Sequence, residues 1–205
     1  RTQLSKIATL AKQAMGLDTL DAVADRGYFR GEEIRACDAA QITTFVPKPQ
    51  TSGNLAKGLF GKRDFIYKPE DDEYACPAGQ RLIYRFTRQE KEQTIHRYWS
   101  SACPQCAMKP RCTTSNYRRV SRWEYEAVVE AAERRLDKEP WRMSVRRSTV
   151  EHPFGTLKSW MGHTHFLTRT LPRVRTEMSL HVLAYNLKRM MAIMGTKPLM
   201  EAMRA

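Results

Sequence analysis

The stretch TLDAVADRGYF, residues 19–29, is the part of the sequence that best indicates the fold. Its apolar residues run almost without a break from Leu20 to Ala24, which is typical of a strand buried in a sheet. Asp25 follows this run, and Gly27 allows a turn. We therefore predict a buried strand that delivers the Asp25 carboxylate to its C-terminal edge.

Helical and strand patterns alternate around this stretch. Residues 3–15 place apolar side chains at helical spacing, and residues 30–40 predict a second, short helix with acids in its first turn. Residues 41–49 predict another strand, which prolines end. Helix, strand, helix and strand in succession indicate an α/β layer over residues 1–50.

The middle of the chain, residues 51–120, has a different character. Gly, Pro, Cys, aromatic and basic residues mix there without a sustained period. Such a composition is typical of irregular structure. We therefore predict a loop-rich insertion that lacks a hydrophobic core of its own.

Helical patterns return in residues 121–205. Ser121 and Glu124 have the spacing of a capping box, which predicts the start of a helix. Residues 141–161 and 170–195 also have helical periodicity, and the second has a broad apolar face that is typical of burial. The predicted fold class is thus α/β, with an inserted module and C-terminal helices.

The charge of the chain is strongly positive and unevenly distributed. Its 205 residues carry a formal net charge of +13. Residues 76–122 hold 10 cations and 2 anions and residues 141–205 hold 11 and 3, whereas residues 1–75 are balanced and residues 123–140 are acidic. Two basic blocks favour a polyanionic partner, above all nucleic acid. The alternative is a protein that is merely basic and soluble.

No stretch of the sequence is apolar enough to span a bilayer. The chain also opens without the basic start, apolar stretch and cleavage site of a signal peptide. We therefore expect a cytoplasmic protein.

Four of the five cysteines have a spacing that suits a metal site. Cys103 and Cys106 form a C-x2-C pair, which lets two thiolates hold one ion, and tetrahedral zinc needs four such ligands at about 2.3 Å. A structural zinc would stabilise an insertion without a core. The predicted ligands are Cys76, Cys103, Cys106 and Cys112.

These cysteines do not require a zinc site of four thiolates. A disulfide is disfavoured in an intracellular protein, and unrelated buried thiols would need no metal. His96 could replace one thiolate, because sites with three cysteines and one histidine are common.

Basic and aromatic side chains surround the cysteines. Cations that hold phosphates and rings that stack on bases together suit contact with DNA or RNA. The alternative is that the rings form a small core while the cations are solvated. The residues are Arg81, Tyr84, Arg85, Phe86, Arg88, Lys91, Arg97, Tyr98, Trp99, Lys109, Arg111, Arg118 and Arg119.

A single carboxylate lies among cations in RRSTVEHPFGTLKSW, residues 146–160. On a helix of about 100° per residue, Arg147, Glu151 and Lys158 share one polar stripe beside an apolar one. A carboxylate that binds a metal ion and flanking cations that bind phosphates are what metal-assisted phosphoryl transfer requires. Asp25 is the natural second ligand, because sites assemble at strand ends in α/β sheets.

Each of these acids could also have a purely structural role. Glu151 could form an i,i+4 ion pair with Arg147, worth only a few tenths of a kcal/mol. Asp25 could be a turn residue before Gly27.

Three features together resemble the C-terminal part of a DDE-type insertion-sequence transposase of bacteria. They are VADRGYF at residues 23–29, the C-x2-C-x5-C run, and the R-x3-E-x6-K pattern of Arg147, Glu151 and Lys158. The resemblance covers about residues 3–195. Motifs that occur jointly and in order are more specific than any one of them.

The resemblance implies a ribonuclease H-like core, interrupted by an insertion between the second Asp and the final Glu. Two Mg²⁺ ions would be held by an Asp, Asp, Glu triad in which Asp25 matches the second Asp and Glu151 the Glu. The partners it implies are double-stranded DNA, in the nucleoid, and further copies of the chain. Ser144 stands where the family pattern often has Tyr, and Pro153 predicts a kink just after Glu151.

The first Asp of the triad is expected on an earlier strand, upstream of Arg1. On that hypothesis this chain is a fragment that is poorly stable and inactive by itself, whereas the parent protein cleaves and joins DNA strands. The rival hypothesis is a non-catalytic, zinc-containing DNA-binding protein derived from a decayed transposase.

Overall fold

The computed structural model describes residues 2–50, 52–162 and 164–203. The chain divides into two compact units, Arg1–Glu139 and Pro140–Ala205. The domain limits predicted at residues 1, 51 and 205 fall on positions outside the described residues.

The first 45 residues fold in the predicted order of helix, strand, helix and strand. The two strands pair in parallel, with Leu20 opposite Ile42 and Val23 opposite Phe45. Ile34 and Cys37 of the second helix are fully buried against this layer. The elements are α1 (Leu4–Ala14), β1 (Leu20–Val23), α2 (Gly31–Ala39) and β2 (Ile42–Phe45).

The predicted loop-rich insertion is instead built on an antiparallel sheet of five strands in the described chain, ordered as in the sequence. The pattern was missed because much of the long third strand of this sheet is exposed and its register shifts between Tyr84 and Phe86. This bulge breaks the alternation that identifies a strand. The strands are β3 (Ile66–Lys68), β4 (Glu73–Ala75), β5 (Arg81–Glu90), β6 (Gln93–Trp99) and β7 (Val120–Trp123).

The insertion also has a hydrophobic core, contrary to the prediction. Tyr74 and Tyr98 are almost completely buried, with ring centroids 5.2 Å apart. Both rings lie in one cluster, which consists of Phe65, Tyr74, Leu82, Tyr98 and Val120. The connections include short 3₁₀ helices at Arg26–Tyr28, Leu55–Lys57, Lys62–Asp64, Cys103–Gln105 and Lys109–Arg111.

The next helix, α3 (Glu126–Lys138), starts later than predicted. Ser121 lies in β7, where it pairs with Arg97 of β6, so the predicted capping box is wrong. Instead, the Trp123 N–H donates to the Glu126 carboxylate at 3.3 Å. The sheet pairing of Ser121 therefore overrides its local preference for a helix cap.

The second unit is helical, but the helix predicted for residues 141–161 is not regular. Two α-helical segments alternate with two turns of π-helix, in which backbone bonds join residues five apart. Pro153 lies between the two π turns and has no backbone N–H to donate. The segments are α4 (Trp141–Arg146), the first π turn (Arg147–Glu151), α5 (His152–Gly155) and the second π turn (Thr156–Trp160).

Two further helices complete the second unit, α6 (Leu171–Met194) and α7 (Thr196–Ala202). The apolar face of α6 was predicted to be buried. In the structure no residue of α6 is buried, and Leu183 and Ile193 are largely exposed. That expectation is therefore not met within the described chain.

Candidate functional site

Asp25 lies two residues beyond the end of β1, at the C-terminal edge of the parallel pair. The Ala24 N–H still donates to the Phe45 carbonyl at 3.1 Å, so the sheet continues up to this point. The Asp25 carbonyl accepts from the Tyr28 N–H at 2.9 Å, which closes the following 3₁₀ turn. Asp25 follows a strand end, as predicted, and its side chain is exposed. The strand itself was predicted to be buried, but no residue of β1 is fully buried in the structure.

Glu151 is the last residue of the first π turn. Its carboxylate accepts a hydrogen bond from the Arg146 guanidinium at 3.1 Å. The Glu151 side chain is 60% exposed, whereas that of Arg146 is 16% exposed. Sequence reasoning missed Arg146 because the pairing rule for an α-helix selects residues four apart, which pointed to Arg147.

The polar stripe predicted for Arg147, Glu151 and Lys158 assumed a regular α-helix. Arg147 begins the first π turn and Lys158 lies in the second. A π turn contains more residues than an α turn, so the residues no longer recur at 100°. The three residues are therefore not expected to share one face, and the predicted stripe is not supported.

Asp25 belongs to the first unit and Glu151 to the second. The pairing of these carboxylates around a metal therefore stays a prediction. Within residues 2–50, 52–162 and 164–203, no group of three or more His, Cys, Asp or Glu side chains is arranged to hold a metal ion.

The four predicted zinc ligands nevertheless line one small cavity of about 20 Å³. A void of this size admits a single water-sized occupant. Cys76 starts a turn in which the Gly79 N–H donates to its carbonyl at 2.8 Å. Cys103 begins the 3₁₀ helix Cys103–Gln105, which Cys106 follows, and Cys112 follows the 3₁₀ helix Lys109–Arg111. Three separate turns of the insertion therefore converge on this cavity.

Arg118 also lines this cysteine cavity. Its Nε is buried and has no hydrogen-bond partner in the described part of the chain. Burial raises the pKa of the Cys112 thiol, and the Arg118 guanidinium partly offsets that rise. The fifth cysteine, Cys37, lies in the core of the α/β layer, where burial raises its pKa to about 11.

The aromatic residues of the insertion divide between the two predicted roles. Tyr98 lies in the core, as the hypothesis of a small aromatic core required. Phe86 is 45% exposed, and the Trp99 ring contacts the guanidinium groups of Arg85 and Arg119. One part of the set therefore forms a core and another part lies with cations at the surface.

The acidic block at residues 123–140 is paired within the first unit. Glu126 accepts from Lys62 at 2.7 Å, and Glu133 lies within ion-pair distance of Lys48 and Arg63. Glu130 likewise pairs with Arg122, a residue of β7. The anions of α3 thus pair with cations of the insertion, of the segment before it and of β7.

The comparison with known families gives the class of the protein. Residues 75–191 match the family model described as "Transposase DDE domain", which is more than half of the chain. The chain therefore belongs to the transposase DDE domain family. No curated protein and no solved structure matches it.

This family consists of enzymes of DNA transposition, so its members act on DNA. They generally use a divalent metal ion such as Mg²⁺. The matched range includes Arg147, Glu151 and Lys158 as well as the four cysteines of the cavity, whereas Asp25 lies before it. In the described part of the chain, no helix is long and apolar enough to cross a membrane.

Proposed function

We propose that this chain forms part of a transposase that cleaves and joins DNA strands with Mg²⁺. The observation that carries the proposal is the family match, since it contains Glu151 together with Arg147 and Lys158. Asp25 is supported separately, by its exposed position at the end of β1. The α/β layer around β1 would be the second half of a ribonuclease H-like core.

Carboxylate oxygens are the ligands that Mg²⁺ prefers, and this ion usually keeps several waters when it binds to protein. Asp25 and Glu151 are both exposed, so each can accept a hydrated ion. Bound Mg²⁺ would activate water or a 3′-hydroxyl for in-line attack and stabilise the leaving oxygen.

The cationic side chains have two different tasks in this proposal. Arg146, whose side chain is mostly buried, holds the Glu151 carboxylate at 3.1 Å in an ion pair that a metal ion would have to displace. Arg147 and Lys158 would hold DNA phosphates. Double-stranded DNA and further copies of the chain would be the partners, as the sequence resemblance implied.

A cleavage assay with the full-length protein and labelled DNA in Mg²⁺ tests the carboxylates. We expect Glu151→Gln and Asp25→Asn to abolish strand cleavage while DNA binding is retained. Glu201→Gln is the matched control for Glu151→Gln, and Asp18→Asn is the matched control for Asp25→Asn, because each removes an exposed acid from the same unit as the residue it controls for. Undiminished cleavage by Glu151→Gln would contradict the proposed role of Glu151. Absence of cleavage by the wild-type protein would favour the non-catalytic DNA-binding protein.

We also propose that Cys76, Cys103, Cys106 and Cys112 hold a structural zinc ion. Four thiols around a cavity with room for one ion provide the donor number and type that zinc requires. The unpaired Arg118 Nε beside them favours a negatively charged occupant such as a metal thiolate. Since no metal-binding group is arranged among the described residues, zinc binding would require the thiols to rearrange.

Zinc content of the purified protein tests this second proposal. We expect about one zinc per chain, and its loss in Cys103→Ser and Cys106→Ser. Cys37→Ala is the matched control, because Cys37 lies in a different core. Wild-type protein without zinc would contradict the proposal.

A further inference from the structure

Two arginine and two aromatic side chains surround Trp99 on the insertion. The guanidinium carbon of Arg85 lies 5.2 Å from the centre of the Trp99 ring, and that of Arg119 lies 5.6 Å from it. Phe86 and Tyr117 contact the same ring at 5.9 and 6.5 Å between ring centres. We call these five residues the Trp99 surface.

Hydrogen bonds hold the Arg85 side chain in this position. Its Nε donates to the Trp99 carbonyl at 3.2 Å and its Nη2 donates to the Ser101 hydroxyl at 2.8 Å. An arginine that is already ordered loses less conformational entropy when it binds a ligand. The Arg85 guanidinium can therefore bind an anion with little further ordering.

A second cavity continues the Trp99 surface through Tyr117 and Arg119. Its volume is about 460 Å³, and one loop provides the lining. Every side chain in that lining carries a hydrogen-bond donor, and none is an acid. The lining residues are Thr113, Ser115, Asn116, Tyr117, Arg118 and Arg119.

The segment that contributes Trp99, Tyr117 and Arg119 to this surface contains no acidic residue. Residues 93–123 include six Lys or Arg residues and no Asp or Glu. The nearest preceding acids are Glu90 and Glu92, and Glu90 is paired with Arg97. The acids of α3 pair with Lys48, Lys62, Arg63 and Arg122. Glu90 and the acids of α3 therefore form their ion pairs with cations other than Arg85 and Arg119 in the described chain.

We propose that the Trp99 surface and the adjoining donor-lined cavity bind the phosphodiester backbone of DNA. This inference rests on the proposed function for its ligand. It assigns the DNA contact to the Trp99 surface of the first unit, and this surface contains none of the proposed catalytic residues. Guanidinium groups and hydroxyls bind phosphate oxygens, whereas carboxylates would repel them. The Trp99 ring orders two of these guanidiniums and so favours a fixed path for the backbone.

Salt-dependent binding of fluorescent duplex DNA to the full chain tests this inference. Each phosphate contact contributes about 0.9 to the slope of log affinity against log salt concentration. We expect Arg119→Gln and Arg85→Gln each to reduce that slope by about one. Arg88→Gln is the matched control, because Arg88 is an exposed arginine on the same strand but outside the Trp99 surface. Equal effects of Arg88→Gln and Arg119→Gln would overturn the inference.

A competition arm separates DNA backbone from a free phosphate ion as the ligand. Inorganic phosphate is compared with chloride at equal ionic strength, and we expect both to displace DNA equally. Stronger displacement by phosphate would show an isolated phosphate site and would overturn the inference. Because binding is measured without Mg²⁺, loss of cleavage in Glu151→Gln leaves this result unaffected. Absence of any DNA binding would remove both proposals.

Discussion

Arg146 and Glu151 form an ion pair across a π-helical turn, with 3.1 Å between the guanidinium nitrogen and the carboxylate oxygen. The two residues are five positions apart, a spacing that a π turn brings onto one face. The helix thereby orients an exposed carboxylate through a mostly buried cation. Arg146 therefore occupies the Glu151 carboxylate to which the proposed Mg²⁺ ion would bind.

We predict that Arg146→Met changes the Mg²⁺ requirement of cleavage. A metal ion that binds Glu151 must compete with the Arg146 guanidinium. Partly exposed ion pairs contribute about 0.2–1 kcal/mol, so the Mg²⁺ concentration for half-maximal cleavage should fall by up to about fivefold. Arg147→Met is the control, since we expect it to weaken DNA binding instead. An unchanged Mg²⁺ requirement in Arg146→Met would contradict the competition.

The α/β layer was predictable because its signals are local. The apolar run from Leu20 to Ala24 and the periodicity of residues 3–15 identify elements that the structure contains. The position of Asp25 at a strand end follows from the same run. Its proposed role does not, because that depends on a residue in the other unit.

The insertion and the π turns were not predictable because their causes are not local. Tyr98 is buried by strands that are distant in sequence, and Ser121 is held by its pairing with β6 rather than by a helix. Pro153 correctly indicated an irregular helix. The residue pattern does not show that this irregularity takes the form of π turns. The partner of Glu151 is therefore Arg146 instead of the predicted Arg147.

Gly31→Ala should destabilise the first unit. A Cβ atom at Gly31 would lie 2.8 Å from the Trp123 ring, which is buried against α3, so the ring or α2 must move. Overpacking of this kind costs about 1–3 kcal/mol of unfolding free energy. Gly53→Ala is the control, because its Cβ would meet no atom within 4 Å. Urea unfolding of both variants measures the difference, and equal midpoints would contradict the prediction.

Lys62→Met should destabilise the contact between the insertion and α3. Glu126 is 9% exposed, and despite its burial the charges of Lys62 and Lys48 lower its pKa. Removing Lys62 leaves that carboxylate poorly compensated. Because the Lys62 side chain is itself 39% exposed, we expect a loss of about 1–3 kcal/mol rather than the full cost of a buried charge.

A double substitution distinguishes the lost ion pair from lost packing. In Lys62→Met with Glu126→Met, no unpaired charge remains, so unfolding free energy should recover relative to Lys62→Met alone. Lys57→Met removes an exposed lysine from the connection between β2 and β3, which also contains Lys62, and should have little effect on the unfolding free energy. If the changes in unfolding free energy of Lys62→Met and Glu126→Met add up to that of the double variant, Lys62 and Glu126 are not coupled.

Glu177 should make the second unit sensitive to acid. Its carboxylate accepts from the Thr168 hydroxyl at 2.6 Å and from the N–H groups of Thr168 and Leu167 at 2.9 and 2.8 Å. These bonds lower the pKa of Glu177 to about 2 from an ordinary value of 4.5. His181 also contacts this carboxylate, with its Nε2 3.6 Å from the Glu177 oxygen.

The sign of this dependence follows from the lowered pKa. Stabilisation by Glu177 is complete above pH 4.5 and is lost as the pH falls from 4.5 towards about 2, since protonation removes the charge that accepts these bonds. The melting temperature of Glu177→Gln should therefore lie below that of wild type at pH 7, and the two should converge towards pH 2. Glu201→Gln, which removes an exposed acid of α7, should follow wild type throughout. Amide exchange of Leu167 and Thr168 should accelerate in Glu177→Gln at neutral pH, and unchanged exchange would show that these bonds do not hold the segment.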